Sequence, residues 1–122
     1  MFDFDKPLLQ TILFQILLSA ERIQFRISSI SSSEQFYESD ERLILLDSIC
    51  MQLIAIGESI KKVDALTDKK LLPHYPDIPW KRVMGIRDII SHHYFNVDAE
   101  VVLYTCTHHI KKKKKSIEQM LT

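Results

Sequence analysis

Glu41–Val63 reads ERLILLDSICMQLIAIGESIKKV, and its apolar residues recur at Leu46, Ile49, Leu53, Ile56, Ile60 and Val63. Steps of three and four keep one face of a helix apolar, and strand alternation is absent. The carboxylate of Asp40 is a suitable N-cap for this helix. Gly57 lies in its interior, where a glycine costs about 1 kcal/mol relative to alanine. A close approach by another helix is the simplest reason to keep it. Glu58 follows, either as a solvated charge or as a carboxylate reaching a basic group on another helix.

The same rhythm appears upstream. Between Lys6 and Ile30 the seam is Leu9, Leu13, Ile16, Ala20, Ile23, Ile27 and Ile30, with Phe14, Leu17 and Leu18 widening it. That width predicts burial on more than one side. Serines at 28, 29 and 31–33 end the segment, and Ser31–Asp40 is a loop or short helix. The two long helices are expected to pair antiparallel. Downstream, Asp64–Leu72 suits a short helix, and Pro73–Pro79 (PHYPDIP) has too many prolines for regular structure. Pro79 fits the first turn of a third long helix, where a missing N–H costs nothing. Trp80, Val83, Met84, Ile86, Ile89 and Ile90 give that helix its apolar face. Phe95–Asp98 is a turn, and Asp98 is placed to cap a last helix with Val102, Cys106, Ile110, Ile117 and Leu121 on one side. The expected fold is all-α: a single domain over residues 1–122, an antiparallel bundle of four long helices plus one short one.

The bulk numbers agree with a packed domain. Of 122 residues 46% are hydrophobic, and two glycines with four prolines leave few helix breakers. The formal net charge is zero, so no global field draws a polyanion. Charge is nevertheless segregated into an acidic middle, Glu34–Asp47, and the run Lys111–Lys115. Cys50 and Cys106 lie in apolar helical patterns without metal or redox spacing, as buried free thiols would. No signal peptide is visible. The most apolar stretch, Pro7–Ala20, is interrupted by Gln10 and Gln15 and is too short to span a bilayer. These readings point to a cytoplasmic location and no membrane partner.

Chemistry concentrates in Gly85–Tyr94, GIRDIISHHY, which reduces to R-x4-H-x-Y through Arg87, His92 and Tyr94. Arginine offers a permanent cation whose fork matches phosphate oxygens. Histidine passes a proton either way near neutral pH, as cleavage of a phosphodiester by an RNA 2′-hydroxyl requires. That route needs no metal or other cofactor. On a continuous helix Arg87, Ser91 and Tyr94 share one face, and Asp88 and His92 an adjacent one. Asp88 could then orient the imidazole. Arg87 and His92 lie about 140° apart on such a helix, so a straight helix does not aim both at one atom. Either the helix distorts near His92, or a second copy completes the site across a two-fold axis, and the dimer is the preferred solution. The bland readings are a surface Arg/His pair and a solvated lysine-rich helix end. The adjacent His108 and His109 do not share a helix face and make a poor metal pair, and Trp80 suits the core.

Ile78-Pro79-Trp80, Gly85-Ile86-Arg87-Asp88, His92-His93-Tyr94-Phe95 and Val97-Asp98, together with Ile56-Gly57-Glu58, resemble the HepT-like branch of the HEPN domains over nearly the whole chain. The resemblance implies an all-α homodimer with its R-x4-H motifs meeting in a cleft. It further implies a metal-independent endoribonuclease toxin encoded beside a minimal nucleotidyltransferase antitoxin. By motif match Arg87 and His92 would be catalytic and Tyr94 the acceptor of AMP, with Asp88, Ser91 and Glu58 in support. Asp88 stands where the family often has asparagine, which puts a negative charge beside the phosphate site. The alternative is a non-catalytic HEPN partner that binds the nucleotidyltransferase and serves as its modification substrate.

Overall fold

The computed structural model describes residues 5–93 and 96–121, with residues 91–93 and 96 in backbone only. Helix α1 spans Lys6–Ile27 and α2 spans Asp40–Leu66. A 3₁₀ turn, Ser33–Tyr37, occupies the connection and buries Phe36. Then follow a second 3₁₀ turn, Leu72–His74, which enters the proline-rich stretch expected to be irregular and buries Leu72, and α3 (Trp80–Met84), α4 (Ile86–Ile90), strands β1 (Ser91–His93) and β2 (Asn96–Val97), α5 (Ala99–His108) and α6 (Ile110–Leu121). The fold is predominantly helical, as expected, with a small hairpin where none was expected.

The seam residues of α1 and α2 form the core. Leu13, Ile16, Ala20 and Ile23 of α1 and Ile49, Leu53, Ile60 and Val63 of α2 are all nearly inaccessible to solvent. The two helices run in opposite directions, because Leu8 and Ile12 near the start of α1 share a groove with Ala65 and Leu66 at the end of α2. On its other side α1 meets α6, also reversed: Phe14 and Gln10 lie beside Leu121. Lys114 of α6 reaches Gln24 of α1 at 3.3 Å and Glu21 at 3.8 Å.

Several expectations need correction. Phe14 and Leu18 do not widen the core. They are exposed, with Phe25, along the side of α1 opposite the buried seam. The N-cap of α2 is Ser39, whose Oγ accepts from Arg42 N–H at 3.1 Å, and Asp40 is the first helical residue. Its carboxylate still favours the helix start through the macrodipole. No separate helix fills Asp64–Leu72. Instead α2 runs on to Leu66 and stops at Thr67, after which Asp68 and Lys69 take positive φ of 53° and 60°. Among the described residues one helix, α2, is long and apolar enough by length and composition to cross a membrane. Its apolar side packs against α1, α3 and α4.

The third and fourth long helices are each divided. Gly85 closes α3, its N–H donating to Lys81 C=O at 3.1 Å. The last helix is interrupted at His109, although i→i−4 bonds continue from His109 to Thr105 and from Lys113 to His109. Thr107 Oγ1 donates back to Leu103 C=O at 2.9 Å, a bond that tends to bend helices. Asp98 does cap α5, accepting from Val101 N–H at 3.1 Å.

Candidate functional site

Gly57 explains how the motif-bearing segment is held. A Cβ built there would stand 2.7 Å from Val83 C=O and 2.9 Å from Ile86 Cγ2. Only the missing side chain lets α3 and α4 lie this close to α2. Trp80 anchors the start of α3: its ring is buried and its Nε1–H donates to Tyr75 C=O at 3.0 Å. Val83, Ile86 and Ile90 complete the buried side. Arg87 and Asp88 therefore face solvent on α4. Among the described residues neither makes an ion pair.

The continuous helix expected through Tyr94 is not formed. It ends at Ile90, and Asp98 N–H donates to Ile90 C=O at 2.7 Å, closing the hairpin against the end of α4. The reason lies in local preference. Ser, His, Tyr, Phe, Asn and Val all lie below alanine and leucine in helix propensity. Tyr, Phe and Val favour strands. Ser91 pairs with Val97 and His93 with Asn96, so His92 is the extra residue of a β-bulge. Bulges redirect the chain and are frequent beside active sites. The chain thus leaves the helix before His92, the distortion that helical geometry allowed as the alternative to a two-fold. Asp88 and His92 do not share a helix face. The side chains of Ser91 and His92, and all of Tyr94, lie outside the described residues.

Glu58 is exposed on α2, and its carboxylate pairs within its own helix with Lys61 at 3.3 Å. Within the protomer Glu58 is thus a solvated charge paired along its own helix. Cys50 and Cys106 are free, buried thiols. Burial, with Asp47 nearby, pushes Cys50 up to about 11. Burial likewise pushes Cys106 to about 12. Neither is a nucleophile at neutral pH. Among the described residues no three His, Cys, Asp or Glu side chains gather as metal ligands would.

A second concave region was not legible in the sequence. An open cleft of about 610 Å³ lies where α3 and α4 meet α5 and α6. Its lining includes Arg82, Ile86, Ile89, Tyr104, His109 and Lys113. Tyr104 stacks on His108 with ring centres 4.2 Å apart and an 8° tilt, and meets His109 edge-on at 5.4 Å. The i,i+4 spacing of Tyr104 and His108 was readable. Arg82 comes from another helix, and no periodicity could have brought it there.

Comparison with known proteins gives one consistent result. The profile of a family described as "Ribonuclease HepT-like" matches residues 16–120. "Putative RNase MJ0125" of Methanocaldococcus jannaschii is 36% identical over 72 residues, covering 59% of this chain and 57% of the relative. "Putative RNase TTE0752" of Caldanaerobacter subterraneus is 28% identical over 106 residues, covering 87% of this chain and 88% of the relative. "Probable ribonuclease HepT" of Thermococcus cleftensis is 33% identical over 73 residues, covering 60% and 63%. The matched region spans less than two thirds of the first of these relatives. No solved structure matches.

Proposed function

The chain belongs to the ribonuclease HepT-like family, and from that premise we propose that it is a metal-independent endoribonuclease, the toxin of a pair whose antitoxin is a minimal nucleotidyltransferase. The observation that carries the reading is the placement of Arg87. It is solvent-facing and unpaired among the described residues, one helix end before the bulge at His92. A solvent-facing guanidinium can take a phosphate through two parallel hydrogen bonds.

In this reading Arg87 holds the scissile phosphodiester and stabilises charge as it builds on the phosphoryl oxygens. His92 accepts the proton of the 2′-hydroxyl. The 2′-oxygen bonds to phosphorus, and the bond to the 5′-oxygen breaks. A second imidazole, His92 of the other copy in a homodimer, protonates the leaving 5′-oxygen. The products are a 2′,3′-cyclic phosphate and a 5′-hydroxyl, with no metal in the balance. The exposed apolar side chains of α1 (Phe14, Leu18, Phe25) and of α2 (Ile44, Met51) support self-association, since monomers rarely leave such residues in rows. AMP added to Tyr94 by the antitoxin would set bulk and negative charge beside the phosphate site and silence it. The protein would act in the cytoplasm.

Induced expression in a bacterial host tests this directly. The wild type should arrest growth and yield discrete RNA fragments ending in 2′,3′-cyclic phosphate, in extracts with or without EDTA. Arg87→Ala and His92→Ala should do neither while remaining folded. Tyr94→Phe should stay toxic in the presence of the antitoxin. A harmless wild type with intact RNA would favour the non-catalytic partner, a reading that Asp88 beside Arg87 and the zero net charge support.

A further inference from the structure

We propose that the cleft between α3, α4, α5 and α6 is a second phosphate-binding site, which seats a nucleotide of single-stranded RNA through Arg82, Lys113 and Tyr104. The inference rests on the ribonuclease reading and adds a place where the substrate strand is held outside the R-x4-H segment.

Lys113 is half-buried in the cleft wall, and Arg82 lines the same cleft from α3. Among the described residues no carboxylate is ion-paired with either cation, although Glu100 lines the cleft too. A partly desolvated cation without a counterion is unfavourable for the folded chain alone. Burial depresses the pKa of Lys113, Cys106 opposes that shift and Arg82 adds to it. The same surroundings depress that of His109, through burial first and then Lys113, His108, Arg82 and Lys112. An anion entering the cleft relieves this repulsion. Beside the cations, Ile86, Ile89 and Val101 offer an apolar wall for a ribose or base. Tyr104 is 56% exposed, with one ring face covered by His108. A supported, exposed ring is the usual platform for an unstacked base.

The neighbouring surface decides between a strand and a small anion. On the His108 side of the Tyr104–His108 stack lies a second groove, lined by His108, Lys111, Lys112, Lys114 and Lys115 with Glu118 as its one carboxylate. Two basic grooves divided by an aromatic stack match successive phosphates with a base between them. A lone phosphate or mononucleotide would use one groove and leave the other idle. Ile86 and Ile89 of the cleft wall lie on α4, the helix that carries Arg87 on a different face, so one short element presents both the cleft and the proposed catalytic arginine.

The test measures binding apart from cleavage. A 5′-fluorescein 20-nucleotide oligouridylate is titrated with His92→Ala protein, and anisotropy is followed at several salt concentrations. Adding Arg82→Ala with Lys113→Met should weaken binding at least tenfold. It should also flatten the salt slope, by about 0.7 for each phosphate that is no longer neutralised. Tyr104→Leu should weaken binding roughly tenfold with the salt slope unchanged, as removal of a stacking platform does. Lys81→Ala, on the same helix but outside the cleft, serves as the surface-charge control. Lys113→Met should melt no lower than its parent, because it removes an unpaired cation. Affinities within twofold of the Lys81→Ala control overturn the proposal. So does an altered oligomeric state that accounts for the loss, which would make the cleft an interface between copies. Uridine monophosphate binding as tightly as the oligonucleotide would overturn the RNA assignment. Binding that behaves as expected in a protein that cuts no RNA would uphold this site and refute the catalytic reading.

Discussion

Gly57→Ala is the sharpest perturbation of this architecture. In an ordinary helix it would stabilise, since alanine is favoured over glycine by about 1 kcal/mol. In α2 the new methyl group would meet Val83 C=O at 2.7 Å, whereas ordinary contacts begin near 3.4 Å. The obstacle is backbone, so no rotamer change relieves it. The α3–α4 segment must move outward by several tenths of an ångström, opening contacts around Trp80, Val83 and Ile86. Overpacking of this kind costs roughly 1–3 kcal/mol, and the rigid partner places this site toward the upper end. Set against the propensity gain, the net loss is about 1–2 kcal/mol, or about 4–8 °C in melting temperature for a domain of this size. Urea and thermal unfolding followed by circular dichroism measure it. Gly85→Ala is the internal control. Its Cβ would lie 3.5 Å from Lys81 C=O, and its φ of −97° is open to any residue. It should change stability by less than about 0.5 kcal/mol. An unchanged or raised melting temperature for Gly57→Ala would refute the close approach as the reason for this glycine. The position in which α4 presents Arg87 would then need another cause.

Other outcomes follow from the same structure. Cys50 and Cys106 have folded-state pKa values raised from 9.0 to about 11 and about 12. Their contribution to stability is complete below pH 9 and is lost as pH rises toward 11–12, each thiol contributing a slope of about 1.4 kcal/mol per pH unit. Cys106→Ala should flatten the alkaline limb of the stability curve, and the native thiols should resist a thiolate-directed disulfide reagent at pH 8 until urea is added. A steep limb in the variant, or rapid native labelling, would contradict this. Ser39→Ala removes the side-chain cap of α2 and should cost about 1 kcal/mol in urea unfolding, while Asp40→Asn costs only a few tenths. The reverse order would return the cap to Asp40.

Legibility followed the range of the forces involved. The seams Leu9–Ile27 and Leu46–Val63 were readable because burial of a stripe imposes a period on the sequence itself. Asp98 was readable as a cap because capping acts over three residues. The reading of Phe14 and Leu18 as core failed because periodicity reports apolar faces, not what covers them. The helix drawn through His92 failed because its apolar rhythm, Ile86, Ile89 and Ile90, outweighed the weak propensities after Ser91. Glu58 was open between a solvated charge and a reach to another helix, and in the protomer it is exposed and pairs along its own helix with Lys61.

The sequence by itself determined the helical class, the two central helices, the need for a close approach at Gly57, and the R-x4-H-x-Y motif with its family. Tertiary structure alone decided which backbone fills the space beside Gly57, where the chain leaves the helix before His92, and that Arg82 and Lys113 share a cleft. The division has a physical cause. Periodicity, capping and propensity act between residues a few positions apart and leave their pattern in the chain. A carbonyl meeting a glycine, or two cations brought to one cleft from different helices, joins residues about thirty apart and leaves no local trace.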